Sequence, residues 1–179
     1  ASLNMPDYRA TERGFQLLSQ VAGRAGRGQK PGEVILQTYN PELEVIHLAK
    51  NHDFRNFYLS ELACREAFSY PPFSRIIRIV MQGTNAPEVE IECERLAEEI
   101  SVFLEGRLPE SSVQILGPSP CIIEKVKNNY RFHLLIKVKD ADGRSFDEDP
   151  LNHLLYLLRN KKTPKQLSMA IDVDALDLL

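Results

Sequence analysis

Apolar residues recur at helical spacing in the first stretch of the chain. In "YRATERGFQLLSQVAGRAGR", Phe15, Leu18 and Val21 fall on one face with Leu17 alongside. Thr11 stands where an N-cap belongs, and the glycine-rich "GRGQKPGE" is placed to end the helix. The run "EVILQT", bounded by Gly32 and Pro41, predicts a short, mostly apolar strand. A helix followed by a buried strand points to the closing units of a parallel α/β sheet. From Pro41 to Phe68 the pattern predicts one or two helices, with Val45, Ile46, Leu48 and Ala49 and then Phe54, Phe57 and Leu62 as apolar positions. "YPPF" at 70–73 interrupts it, because two prolines cannot continue a helix. That break divides the chain into residues 1–71 and 72–179.

The rhythm then changes. "RIIRIVMQG" predicts a strand, and "APEVEIECERLAEEISVFLEGRL" a long acidic amphipathic helix with Ile91, Leu96, Ile100, Phe103 and Leu104 facing inward. "VQILGP" and "CIIEKVKNN" predict two further strands. "YRFHLLIKVKD" alternates, with Tyr130, Phe132, Leu134, Ile136 and Val138 on one face. Arg131, His133, Lys137 and Lys139 share the other, Leu135 being the exception. "PLNHLLYLLRN" predicts a helix and "LSMAIDVD" a closing strand. Strand, helix, strands, helix, strand is the order of an α+β sandwich of ferredoxin-like or related type.

Composition narrows the function classes. The 179 residues are 43% hydrophobic and 26% charged, enough apolar surface for a core. The net charge of −3 supplies no global field toward nucleic acid, so such binding has to come from local patches. Cys64, Cys93 and Cys121 form no CxxC pair, which leaves buried free thiols in a reducing cytosol as the expectation. No apolar run approaches the ~18 residues of a membrane span, and no signal peptide opens the chain. We therefore expect a cytoplasmic protein with no membrane partner. The chain opens without methionine and runs almost directly into a helix, so a piece of a longer protein is also expected.

The chemistry of the first region sits in "QVAGRAGR" at residues 20–27. A P-loop fails here, because Gln29 follows Gly28 where lysine is needed; a dinucleotide fingerprint fails because position 31 is Pro31. "DEDP" at 147–150 resembles a magnesium-holding acid pair, but it lacks a preceding apolar strand and reads as a loop and helix start. Arg24 and Arg27 stand about one helical turn apart and can project to the same side. Two readings fit them. They are cations near the negative end of a helix dipole, or planar donor forks held over nucleotide phosphates, as in an arginine finger.

"QVAGRAGR" resembles motif VI, Q-x-x-G-R-x-x-R, of superfamily-2 helicases. The wider text "LNMPDYRATERGFQLLSQVAGRAGRG…PGEVILQTYNP", "ELACREAFSYPPFSRIIRI", "ILGPSPCIIEKVKNNYRFHLLIK" and the terminal "IDVD" is similar to the PriA family of bacterial replication-restart helicases, over essentially the whole chain. The resemblance implies that residues 1–71 are the tail of a second RecA-like helicase lobe. Residues 72–179 would be the family's C-terminal DNA-binding domain, with a ferredoxin-like or ribosomal-protein-like α+β fold. Gln20, Gly23, Arg24 and Arg27 would then meet the phosphates of ATP, with Mg2+, and both arginines would share the finger role. The family's Walker A lysine, DExH acids and cysteine-rich zinc insertion are not in this sequence. ATP hydrolysis and zinc are therefore expectations for the full-length 3′-to-5′ helicase only, and the chain alone is expected to be inactive as an ATPase and to hold no metal.

The resemblance also implies partners: branched and single-stranded DNA, other primosome proteins, and the acidic C-terminal tail of the single-stranded-DNA-binding protein, in the cytoplasm at the nucleoid. "EKVKNNYRFHLLIKVK" offers Lys125, Lys127 and Arg131, with Lys137 and Lys139 beyond, for phosphate contacts, and Tyr130 and Phe132 for stacking. Alternation argues the other way, turning the aromatics to the core and leaving an ordinary solvated basic face. Arg75 and Arg78, flanking the first strand of this region, are weaker DNA candidates. The acidic helix at 88–110 carries eight acids against two arginines and should face away from DNA. Arg144, standing among acids before an apolar helix, is the candidate receptor for the tail's carboxylate; the alternative is that it neutralises its own loop. His47 and His52, five apart, do not share a helical face for metal, and His133 reads as a surface hydrogen-bonder. A second function class also fits: an autonomous nucleic-acid-binding α+β module without catalysis.

Overall fold

A computed structural model of the chain describes residues 7–25, 33–139 and 148–176. They fall in two compact units, Ala1–Phe68 and Ser69–Leu179.

The first unit holds three helices, α1 (Ala10–Ala25), α2 (Glu44–Lys50) and α3 (Phe54–Ala67). The helix starts are served by aspartates. The Asp7 carboxylate accepts the Arg9 N–H at 3.1 Å ahead of α1, and Asp53 accepts the Asn56 N–H at 3.0 Å at the start of α3. Each satisfies a donor that a helix N-terminus leaves open. Thr11 lies inside α1, so it does not cap the helix. His52, at φ 52°, breaks 41–68 into two helices. Phe15 is the centre of this unit's small core. Its ring stacks on Phe57 at 3.9 Å and meets Phe54 edge-on at 5.2 Å, with Val45 and Ala49 buried beside it. Arg65 reaches from α3 to Glu12 on α1 at 2.7 Å and to Glu61 at 2.9 Å. Burial works to raise the Glu12 carboxyl, but Arg65 and Arg9 hold it below the usual range.

The expected strand "EVILQT" does not form. Residues 33–38 carry no regular structure, and Ile35 is 86% exposed with Val34 and Leu36 also open to solvent. A strand needs a neighbour for its backbone groups, and among the described residues this unit contains no other strand.

The second unit runs β1 (Ser74–Gly83), α4 (Ala86–Leu104), a 3-10 turn (Glu110–Ser112), β2 (Val113–Val126), β3 (Asn129–Lys139), α5 (Glu148–Asn160) and β4 (Leu167–Val173). It is an α+β domain whose four strands pair antiparallel in the order β2-β3-β1-β4. The register sets Ile77 opposite Ile136, Ile79 opposite Leu134 and Met81 opposite Phe132. Those residues form one core with Val89, Cys93, Leu96, Ile100 and Leu104 of α4 and Leu151, Leu154 and Leu158 of α5. Both helices therefore pack on the same face of the sheet. Ile91, expected inside, is 61% exposed. It lies two residues past Val89, about 200° around the helix, and the buried stripe runs instead through 89, 93, 96, 100 and 104.

The two strands expected between 113 and 129 are one strand with two irregularities. Its pairing with β3 shifts between Leu116 and Ser119 and again between Pro120 and Lys125. Gly117 sits at the first shift with φ 101°, and a Cβ there would lie 2.6 Å from the His133 carbonyl oxygen. Only glycine fits that approach. Cys93 and Cys121 are buried free thiols, whereas Cys64 is exposed because its side of α3 buries nothing. Burial pushes the Cys93 thiol up to about 12. Among the described residues, no helix is long and apolar enough to cross a membrane.

Arg75 and Asp174 close the unit. Nε and Nη2 of Arg75 donate to the two carboxylate oxygens at 3.0 and 2.8 Å, which holds Asp174 below the usual carboxylate range against the effect of partial burial. A carboxylate lowered in the folded state adds stability above its unfolded pKa and loses it as pH falls through the lower, folded value. The thermal midpoint should therefore hold from neutral pH to about 5 and fall below about 4. Asp174→Asn should lower the midpoint at neutral pH by at most ~1 kcal/mol equivalent, because the pair is partly solvated, and should flatten the acid fall. Circular dichroism melts across this range check it; a variant curve parallel to the parent's would remove the pair from the account.

Candidate nucleic-acid interface

The period of two on β3 divides the second unit by charge. Phe132, Leu134, Ile136 and Val138 enter the core under the helices. Arg131, His133, Leu135, Lys137 and Lys139 alternate onto the other face of the sheet. On β1 the same face carries Ile76, Arg78, Val80 and Gln82, which the register sets opposite Lys137, Leu135, His133 and Arg131. Residues 113–139 contain Glu124 as their one acid against five lysines and arginines. On the opposite side of the sheet, α4 carries six glutamates and one arginine. One layer of the unit is acidic and the other basic.

The basic face is partly tucked in. Arg78 is 7% exposed, with Nη2 3.8 Å from the Cys121 sulfur. Lys137 is 6% exposed and its Nζ lies 3.9 Å from the centre of the Tyr70 ring. Burial, and then Lys139, lower its pKa. His133 is pushed below its ordinary value by burial first and then by Arg78 and Arg131, so its ring is neutral at pH 7.

The β2–β3 ribbon projects the exposed cations. Lys127 and Asn128 form its two-residue turn with φ 46° and 66°, the positive pair that a type I′ hairpin requires. Lys125 donates to the Tyr130 hydroxyl at 3.2 Å and lies 4.3 Å from the centre of that ring. Between the pairs Pro120–Phe132 and Lys125–Tyr130, β2 has four residues where β3 has only Arg131. Those four, Cys121–Glu124, form a bulge. Arg131 Nη1 donates to the Ile123 carbonyl oxygen at 3.4 Å across it.

Of the residues singled out from sequence, the structure gathers Lys125, Lys127 and Arg131 on this ribbon. Arg75 is committed to Asp174, and Arg78 lies within the sheet face. Phe132 is buried in the core and offers no stacking surface, while Tyr130 lies beneath Lys125. Gln20 and Arg24 lie on α1 four residues apart, both exposed, with Gly23 between them and, among the described residues, nothing within 4 Å of where its Cβ would be. Arg27 and Arg144 lie outside the described residues. The helix before which Arg144 falls does line a slot of about 230 Å³, in which Leu154, Leu157 and Leu158 face Leu96 and Phe103, with Lys161 paired to Glu99 at its rim. Among the described residues, no three of His, Cys, Asp and Glu come together to hold a metal ion. Sequence reasoning missed the bulge. Its signal was "CII", which breaks the period of two in a segment that otherwise reads as a strand.

The model of the primosomal protein N C-terminal domain matches residues 66–176. The replication restart protein PriA of Synechocystis sp. is 42% identical over 177 residues, 98% of this chain and 20% of its own length. That of Bacillus subtilis is 40% identical over 173 residues, 97% and 20%. That of Chlamydia pneumoniae is 36% identical over 176 residues, 97% and 22%. The chain spans about a fifth of the length of the curated relatives it matches. With the family model covering β1 through β4 and these likenesses extending through α1, the chain belongs to the PriA family, over the domain described as the C-terminal domain of primosomal protein N.

Proposed function

We propose that this chain is the part of an ATP-dependent 3′-to-5′ replication-restart helicase that holds branched DNA at stalled forks and contributes arginines to the nucleotide site. The observation that carries the reading is the separation of charge. The β2–β3 ribbon carries Lys125, Lys127 and Arg131 with Glu124 as its one acid, whereas α4 carries six glutamates and one arginine, so phosphates meet cations on the ribbon rather than on the acidic helix. The relatives' name, replication restart protein, supports the same role. The β-α-β-β-α-β order with strands β2-β3-β1-β4 supports a ferredoxin-like reading of residues 72–179. Exposed Val34, Ile35 and Leu36 support residues 1–71 as the tail of a RecA-like lobe that would supply strand neighbours to them.

In that lobe Gln20, Gly23, Arg24 and Arg27 would face the phosphates of ATP and Mg2+. The guanidinium forks stabilise charge that develops on the transferring phosphoryl group. Zinc belongs to the longer proteins in this reading, as do the primosome partners. Arg144 and the apolar slot under α5 are the candidate receptor for the acidic tail of the single-stranded-DNA-binding protein.

The test is a titration of fork-shaped DNA with the chain, read by fluorescence anisotropy. Binding should be seen at low salt and should weaken steeply as salt rises, with no ATP hydrolysis above background. A salt-independent affinity, or no binding at low salt, would defeat the DNA-holding role.

A further inference from the structure

We propose that the bulge Cys121–Glu124 is a wedge, with Ile122 and Ile123 entering a base step of duplex DNA beside the branch; this rests on the DNA-holding reading above. Ile122 and Ile123 are 49% and 58% exposed in the middle of the ribbon, more open than Leu116 and Val126 on the same strand. Isoleucine has no donor or acceptor with which to read base edges. Apolar side chains placed between bases unstack them and gain burial in return.

The pair is mounted firmly. On one side Cys121 is turned in and nearly fully buried, its sulfur 3.8 Å from Arg78 Nη2. On the other, the Arg131 guanidinium holds the Ile123 carbonyl. A bulge re-aims the side chains it carries, and one fixed at both ends presents them with little ordering cost on binding.

The occupant is set by charge. Lys125 and Lys127 follow the pair toward the ribbon tip, and Arg131 flanks it on β3, with Glu124 the one acid between. An apolar bulge flanked by cations fits a base pair between two phosphate strands better than it fits an apolar protein groove.

Fork DNA carrying 2-aminopurine at the pair beside the junction reports the wedge, with anisotropy of a separate label reporting binding. The expected result is a rise in 2-aminopurine fluorescence as the chain binds, with no rise when the probe lies mid-arm. Ile122→Ser with Ile123→Ser should abolish the rise and leave the dissociation constant within about threefold, since phosphates carry the affinity. Ile122→Met with Ile123→Met keeps apolar bulk and should keep the rise. Anisotropy without a fluorescence rise in the parent, or a rise that survives the serine pair, overturns the wedge and leaves the DNA-holding reading standing. No anisotropy change in the parent overturns both.

Discussion

In a full-length replication-restart helicase carrying this sequence, Arg27→Ala should lower DNA-stimulated ATP hydrolysis by about 10³-fold or more and leave fork binding nearly intact. Arg27 follows Arg24 by three residues in the sequence, and Gln20 and Arg24 stand on one side of α1, exposed and four residues apart. Among the described residues, nothing lies within 4 Å of where a Gly23 Cβ would be. A guanidinium offers a planar donor fork to phosphate oxygens, and its removal takes away charge stabilisation made in the transition state. Arg27→Lys should recover little, because a point charge lacks the fork. Steady-state hydrolysis with saturating fork DNA checks it. Hydrolysis at the parental rate in the alanine variant would return the pair to its plainer role at the end of a helix dipole.

A second large effect is on folding. Leu134→Ala should destabilise the Ser69–Leu179 unit by about 2–5 kcal/mol, a large share of the roughly 5–15 kcal/mol that a domain commands. Leu134 is fully buried on the inner strand β3, opposite the equally buried Ile79, in the same core as Val89 and Leu96. Loss of its isobutyl group removes apolar burial and leaves a cavity between sheet and helices that close packing cannot fill. Ile123→Ala, on the open bulge, should cost no more than about 0.5 kcal/mol. Urea melts of the two variants make the comparison. Equal midpoints would mean that the bulge, too, is structural.

The order of elements in the second unit was legible because its patterns are local. The alternation of β3 and the apolar face of α4 each lie within one element, and Phe132, Leu134, Ile136 and Val138 do enter the core, although Tyr130 does not and Lys137 of the other face is buried as well. What failed needed information from elsewhere in the chain. "EVILQT" has a strand's composition, but whether a neighbour exists to pair with it cannot be read from six residues. Ile91 was drawn inward by hydrophobicity, although the contact stripe on α4 is set by where the sheet lies. Alternation gave the face of Lys137 but not the Tyr70 ring that covers it. Arg75 looked free because its partner Asp174 comes 99 residues later. Within the candidate site, Lys125, Lys127 and Arg131 were legible as neighbours because a two-residue hairpin brings them together. The bulge was not, since the mismatch of four residues against one appears only once the register is known.

The central claim is that the ribbon's cations, and not the α4 layer, meet DNA phosphates. The slope of log affinity against log salt for fork DNA tests it most directly, measured for the parent chain, for Lys125→Ala with Lys127→Ala and Arg131→Ala, and for Glu90→Gln with Glu94→Gln and Glu98→Gln. Each phosphate contact contributes about 0.9 to the slope on duplex DNA. The ribbon variant should therefore bind more weakly on every DNA sequence with a slope smaller by about 2–3, and the α4 variant should keep the parent's slope. A ribbon variant with the parent's affinity and slope, or a slope that changes with the α4 glutamines instead, would contradict the account.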